Sequence, residues 1–121
     1  MQAVALATSA LYANDATPLL PKFAAIAAAS SGDNTLVTGV AGKRIRVLSA
    51  HLTMTGTAVT IRFESASSGT ALTGQMTPLQ GTSISLPFSP LGHFQTVAGE
   101  LLNLELGGAQ AVGGWLVYVE V

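Results

Sequence analysis

Side chains that could carry out chemistry are few in this sequence, and they are scattered along it. His51 and His93 are its two histidines, and Asp15 and Asp33 are its only aspartates. A hydrolytic triad needs a nucleophile, a histidine and an acid that the fold brings together, and any serine-rich chain of this size offers those residue types. The motifs of α/β-hydrolases, dinucleotide-binding domains and P-loop proteins do not occur. The sequence therefore predicts that the protein is not an enzyme and has no catalytic residue.

The two histidines have more than one interpretation. His51 lies in the middle of an expected strand near Ser49 and Thr53. It could be a metal ligand or a base, but we favour a strand histidine that packs on its neighbours and bonds a hydroxyl or a water. His93, in the turn PLGHF, could supply one ligand per subunit to a metal on a three-fold axis. Because no carboxylate is near it in sequence, we expect no metal and no cofactor.

The glutamates do not indicate a pair of catalytic carboxylates of the kind that glycosidases use. Glu64, Glu105 and Glu120 alternate with apolar residues in expected strands, and Glu100 follows Gly99 at a turn. Alternation of this kind usually places the charged side chain on a solvated face. We therefore expect these carboxylates to be solvated and to have ordinary pKa values.

Three of the five basic residues, Lys43, Arg44 and Arg46, lie within four positions. This cluster could contact an acidic partner surface, or it could solvate the start of a strand and discourage edge pairing. A role in nucleic-acid binding is disfavoured, because the cluster is small and aromatic residues that could stack on bases are few. The formal net charge of −1 likewise gives no electrostatic reason to bind nucleic acid or an acidic membrane surface.

The composition indicates a protein that associates with other copies of itself or with other proteins. Charged residues make up 9% of the 121 residues, against about a quarter in typical domains. The absence of cysteine excludes disulfides and thiolate metal sites, and no apolar stretch is long enough to span a membrane as a helix. Since monomers seldom expose large apolar patches, we predict an oligomer or an assembly component; a monomer with a Ser- and Thr-rich surface is the alternative.

The spacing of strand and turn signals predicts an all-β, antiparallel sandwich that is closer to a jelly roll than to an up-and-down barrel. Eight or nine short strands are expected, with the clearest alternation at 59–64 and 102–106 and a bulge near Ser49 to His51. Residues 1–33 are predicted to form an N-terminal arm, extended or partly helical, with a possible first strand at 23–29, and residues 34–121 the sandwich. Too few apolar residues lie in the arm to build a core, so it is expected to order against its own sandwich or against another protein.

Alternation in the last strand predicts two different faces. Trp115 is expected in the core, together with Phe63, Phe88 and Phe94. Leu116 and Tyr118 are expected on the opposite face, where they would form part of a subunit interface, since aromatic residues are enriched at interfaces.

The last two thirds of the chain resemble a family of small virion proteins of tailed bacteriophages. The resemblance lies in VAGKRIRVLSAHLTM (Val40 to Met54), SSGTALTG (Ser67 to Gly74) and the run from Pro87 to Val121. Its most particular parts are the [AG]-G-K-[KR]-I-R-V strand opening, the P-x-S-P-x-G-x-F turn, the A-G-E-x-L-N-L strand and the G-G-x-L-x-Y-V-E-V ending. The arm lies outside the matching region.

The resemblance implies a head decoration (cement) protein, a trimeric jelly roll without a catalytic residue. On this interpretation a homotrimer binds the major capsid protein on the outer surface of the phage head and stabilises the expanded shell. A receptor- or glycan-binding module of a tail fibre or baseplate is the alternative, since jelly rolls host many functions. The expected capsid contacts are Leu11, Tyr12, Leu19, Leu20 and Lys22 of the arm, with Lys43, Arg44 and Arg46 as secondary contacts.

Overall fold

Residues 19–121 are described by a computed structural model, and all structural statements below concern them. Their regular structure consists of strands, without a helix. The strands are β1 (Lys22–Ala28), β2 (Thr35–Val37), β3 (Ile45–Met54), β4 (Ile61–Ser65), β5 (Thr70–Ala71), β6 (Ser83–Leu86), β7 (Phe94–Gln95), β8 (Leu102–Leu106) and β9 (Val112–Glu120). Residues 1–18, including Leu11 and Tyr12, lie outside the described range. Within residues 19–121 no helix is long and apolar enough to cross a bilayer.

The strands form two antiparallel sheets packed face to face. The first sheet has the order β1-β9-β3-β6, with β7 paired to β3, and the second has the order β2-β8-β4-β5. Without the short β7, each sheet has four strands, and their order is that of a jelly roll. The predicted all-β antiparallel sandwich is thereby confirmed. The strand β1, which falls within the segment assigned to the arm, pairs with β9 along its whole length.

The core lies between the two sheets. Every second residue of a strand points inward and contributes its side chain to this core. In β8, Leu102, Leu104 and Leu106 belong to the core, while Asn103 and Glu105 point to the opposite face, where Asn103 is also buried. In β4, Ile61 and Phe63 are buried in the same core. Strong period-two alternation therefore predicted these strands correctly, because successive side chains of a strand point to opposite faces.

Strand β3 contains an irregularity halfway along its length, where the alternation of inward-facing and outward-facing residues shifts by one position. Its register with β9 shifts between Val47 and Ser49, which is slightly N-terminal to the bulge predicted at Ser49 to His51. Before the shift Ile45 and Val47 face the core, and after it Ala50, Leu52 and Met54 do so. The extra residue of a bulge allows one strand to keep apolar residues inward on both sides of the slip.

Candidate interaction surface

The outer face of the first sheet carries an exposed apolar surface. Strand β1 points Ala24, Ile26 and Ala28 into the core, so Phe23, Ala25 and Ala27 point outward, and all three are exposed. In the register, Phe23 lies opposite Val117, and Ala25 lies opposite Trp115. We call these five outward residues, Phe23, Ala25, Ala27, Trp115 and Val117, the β1–β9 face.

Two large aromatic side chains dominate the β1–β9 face. Phe23 is 82% exposed and Trp115 is 49% exposed. Phe23 is diagonal to Trp115 across the pair β1 and β9, a spacing that aromatic side chains can bridge. The face itself contains no charged residue. It therefore offers apolar area without the charges that solvate most protein surfaces.

The β1–β9 face continues into a polar strip on β3 and β6. The rings of His51 and Trp115 are stacked, with centroids 6.2 Å apart and an interplanar angle of 22°. His51 Nδ1 lies 2.9 Å from the Ser85 hydroxyl, and Thr53 Oγ1 lies 3.1 Å from the hydroxyl of Ser83. The favoured interpretation of His51, packing on neighbours and bonding a hydroxyl, matches these contacts.

The expected subunit interface at Leu116 and the expected core position of Trp115 are both wrong. Leu116 is 1% exposed and belongs to the core, where it lies between Ala24 and Ala50 in the register. Tyr118 also packs against the core. Alternation indicates which residues share a face but not which face meets the opposing sheet. Choosing the more hydrophobic face of β9 as the inner one therefore gives the wrong answer here. Phe88, expected in the core, is likewise exposed, because it lies in the loop after β6.

Lys22 and Arg44, both expected to contact a partner, lie at the same end of the first sheet. Lys22 is ion-paired with Glu120 of β9. Its hydrogen bond to the Glu120 carboxylate and the charge of that group raise the pKa of Lys22. Arg44 exchanges backbone hydrogen bonds with Val121, and its Nη1 donates to the Thr96 carbonyl at 3.3 Å. The end of β9 thus lies between two cationic side chains.

The remaining residues that were predicted to contact the capsid differ in their exposure to solvent. Leu20 and Lys43 are exposed, whereas Leu19 is half-buried. Arg46 is half-buried, and its Nε donates to Gln95 Oε1 at 3.0 Å. Gly92 packs so closely on the Arg46 side chain that a Cβ there would lie 2.4 Å from Arg46 Cγ. Of the basic cluster, Lys43 and Arg44 are therefore accessible, and Arg46 is partly covered by a loop.

A network of acidic and amide side chains on the outer face of the second sheet was not predicted. Glu64 is fully buried rather than solvated. Asn103 Nδ2 donates to Asp33 Oδ1 at 2.8 Å and to Glu64 Oε1 at 3.1 Å, and Arg62 Nε donates to Glu64 Oε2 at 2.5 Å. These residues are far apart in sequence, and only the pairing of β4 with β8 and the adjacent loops brings them together.

The pKa values in this network move in opposite directions. Burial, followed by the contact with Asp33 and the charge of Glu64, raises the pKa of Glu105. The Ser68 backbone N–H, which donates to Asp33 at 2.8 Å, contributes most to lowering the pKa of Asp33. Burial thus favours the protonated form of Glu105, and hydrogen bonds favour the charged form of Asp33.

Oxygens of Asp33, Glu64 and Glu105 lie within 4.8 Å of one another, a spacing that cation ligands also have. Hydrogen-bond donors already occupy Asp33 and Glu64, whereas Glu105 Oε2 is buried without a hydrogen-bond partner within residues 19–121. His93, the other residue considered for a metal site, has its Nε2 within 2.6 Å of the Pro87 carbonyl oxygen.

No protein-family model matches the chain, and no curated protein matches it. Among solved structures, the chain is similar to a protein of Bacillus endospore appendages, which are described as a family of disulfide-linked pili. The two share 19% identity with a TM-score of 0.50, over 84% of this chain and 86% of that one. At this identity the similarity shows the fold alone.

Proposed function

We propose that this protein is a non-enzymatic structural protein of a phage virion, a head decoration protein that binds the capsid exterior as a homotrimer. The observation that carries the proposal is the uncharged, exposed β1–β9 face. The resemblance of the last two thirds of the sequence to small virion proteins is the basis for assigning the protein to the head of a phage. Self-association and capsid binding are separate steps of the proposal, and each has its own support.

Self-association is supported by the face and the edge of β1 together. Contiguous exposed apolar patches are uncommon on monomers and mark interaction sites. Strand β1 is also at the end of its sheet, so one of its backbone edges has no strand partner within residues 19–121. Exposed edges readily pair with another chain unless charge or proline protects them, and Lys22 is the only charged residue of β1.

Capsid binding is assigned to the N-terminal arm and the basic end of the first sheet. Leu11, Tyr12, Leu19 and Leu20 supply apolar contacts, and Lys22, Lys43, Arg44 and Arg46 supply positive charge. A protein that binds only the expanded lattice stabilises that lattice by mass action. Three linked copies gain further affinity through avidity when the geometry allows all of them to engage.

The fold shared with the endospore appendage protein is compatible with assembly but does not specify it. That protein belongs to a family of disulfide-linked pili. The present sequence has no cysteine, so association here cannot depend on disulfide bonds. The β1–β9 face provides an apolar surface of the kind that non-covalent association needs.

The test combines solution mass with capsid binding. Light scattering after size exclusion is expected to give three times 12.3 kDa, and the trimer is expected to co-sediment saturably with expanded, empty capsids. A full-length double variant, Leu11→Ser with Tyr12→Ser, should stay trimeric but lose co-sedimentation, with Leu79→Ser as an exposed apolar control elsewhere. A monomer, or a trimer that never pellets with capsids, contradicts the proposal.

A second candidate function, glycan binding at a tail fibre or baseplate, is favoured by Trp115. An exposed indole beside His51 and the hydroxyls of Ser85 and Thr53 combines an apolar platform with polar neighbours. This candidate predicts that host polysaccharide binds the wild-type protein and that Trp115→Ala removes binding. Saturable capsid binding without any polysaccharide binding would eliminate it.

A further inference from the structure

The first sheet ends in two strand edges that have no strand partner within residues 19–121. Strand β1 pairs with β9 alone, and β6 pairs with β3 alone. Exposed edges in natural proteins are usually protected by charge or by proline. Lys22 is the only charged residue of β1 and is ion-paired with Glu120, while β6 contains neither a charge nor a proline. Both edges are therefore open to pairing with a further strand.

Large apolar side chains are exposed beside both edges. Leu20 lies two residues before β1, and Phe23 is the second residue of that strand. At the other edge, Phe88 follows β6 by two residues. Removal of such side chains from water is favourable. The two edges thus combine unpaired backbone with apolar surface that a second copy of the chain would cover.

A ring of three identical subunits needs two different surface patches on each subunit. In a ring, one patch of each subunit meets the other patch of the next subunit, whereas a patch that pairs with itself gives a two-fold dimer. The opposite edges of the first sheet are two such patches, and three strand spacings, about 14 Å, separate them. Pairing of β1 with β1 would instead stop at a dimer.

The strand directions fit a junction between β1 and β6. Each neighbouring pair in the order β1-β9-β3-β6 is antiparallel, so β1 and β6 run in opposite directions. A rotation about an axis along the strands preserves these directions, and the next subunit therefore presents its β6 antiparallel to β1. The start of β1, with Leu20 and Phe23, then meets the end of β6, where Phe88 follows. The exposed apolar side chains of both edges come to the same end of the junction.

We infer that β1 of one copy pairs antiparallel with β6 of the next copy, and that three such junctions close the trimer. This inference rests on the proposed homotrimer and names the surface that joins its subunits. The junction is continuous with the β1–β9 face, because Phe23 belongs to both. It extends the first sheet from one subunit into the next.

The pattern of exposure restricts the register of this junction. In β6, Ser83 and Ser85 are exposed, whereas Ile84 and Leu86 pack against the core. Residues directly opposite each other in a sheet share a face, so the two serines have to meet outward residues of β1. Only two registers satisfy this rule and pair all four residues of β6. Ala25 lies opposite Ser83 in one of them and opposite Ser85 in the other.

Paired cysteines test the junction, because the sequence has no cysteine of its own. Two full-length double variants, Ala25→Cys with Ser83→Cys and Ala25→Cys with Ser85→Cys, are oxidised and separated on non-reducing denaturing gels. We expect covalent trimers from one of the two, because Cβ atoms of opposite residues lie about 4.5–5.5 Å apart. Within one subunit the separation of about 14 Å prevents the same disulfide.

The matched control is Ala25→Cys with Thr70→Cys, because Thr70 is exposed on β5, the edge strand of the second sheet. This variant and the single-cysteine variants should remain unlinked, and thermal unfolding of the reduced proteins verifies that all are folded. Covalent dimers of Ala25→Cys alone would indicate pairing of β1 with β1 and overturn the inference. Equal linking of the Thr70→Cys control would overturn it as well.

Failure of this junction is distinguishable from failure of the proposed homotrimer. A wild-type mass of three times 12.3 kDa without covalent trimers from either double variant overturns the junction and leaves the homotrimer standing. A monomeric wild type overturns both. Phe88→Ser adds a measurement without cysteines, because Phe88 lies beside β6 and outside the β1–β9 face. Its subunit dissociation constant should rise at least about 10-fold, and wild-type association of this variant contradicts a junction at β6.

Discussion

Replacing Phe23 by serine should dissociate the protein into subunits without unfolding it. Phe23 is the most exposed member of the β1–β9 face, at 82%, and faces Val117 across the strand pair. Serine removes the aromatic ring and keeps a side chain that a strand accepts. The variant therefore separates the contribution of the face to association from its contribution to folding.

The magnitude follows from the exposed area. A phenylalanine side chain offers roughly 200 Å², of which about four fifths is accessible here, so full coverage on association would bury about 160 Å². At about 25 cal/mol per Å² this amounts to about 4 kcal/mol as an upper estimate. Costs of association reduce the net value, and central interface aromatics typically contribute about 2 kcal/mol or more. The subunit dissociation constant should therefore rise by roughly 30-fold.

The assay is sedimentation velocity of wild type and Phe23→Ser over a wide dilution series, with thermal unfolding measured on the same samples. The area of Phe23 that is already buried is small, so the free energy of unfolding should fall by no more than about 1 kcal/mol. Leu91→Ser, at a residue that is 77% exposed in the loop after β6, is the matched control and should associate normally. Wild-type association of Phe23→Ser, or equal loss in Leu91→Ser, would refute the reasoning.

Three further changes test the interior. Leu116→Ala should lower the free energy of unfolding by about 2 to 5 kcal/mol in denaturant melts, because it empties a core position; a loss below about 1 kcal/mol would place Leu116 outside the core. Gly114→Ala should cost about 3 kcal/mol or more, because φ is 152° and the new Cβ would lie 1.8 Å from the His51 carbonyl oxygen; a wild-type melting temperature would contradict this backbone geometry. The raised pKa of Glu105 means that its stabilising contribution is complete below the unfolded value of 4.5 and is lost as pH rises through the folded pKa. Denaturant melts from pH 4.5 towards neutrality should therefore show Glu105→Gln gaining stability relative to wild type, and a constant difference across that range would argue against the raised pKa of Glu105.

Strand content was predictable from the sequence because it depends on local alternation. The runs at 59–64 and 102–106 alternate strictly, and β4 and β8 occupy most of those positions. Even the bulge in β3 was visible as a change in the phase of its apolar residues, although its position differed slightly. The jelly-roll class followed from the number of strands and from turn signals about every ten residues.

Which face of a strand is buried was not predictable for β9. Its two faces are both largely apolar, so the hydrophobic pattern that usually selects the inner face gave the wrong answer for Trp115 and Leu116. The acidic network is a second case, because Asp33, Glu64 and Glu105 meet through strand pairing and loops, over sequence separations that no local pattern encodes.

The sequence by itself therefore determined the class of structure and the low charge that favours association, since both depend on residue type and short-range period. Only the tertiary structure decided where the apolar surface lies and which carboxylates lie close together. The physical reason is that burial and pKa depend on which elements pack together. That packing depends on contacts between strands distant in sequence, such as β1 with β9 and β4 with β8.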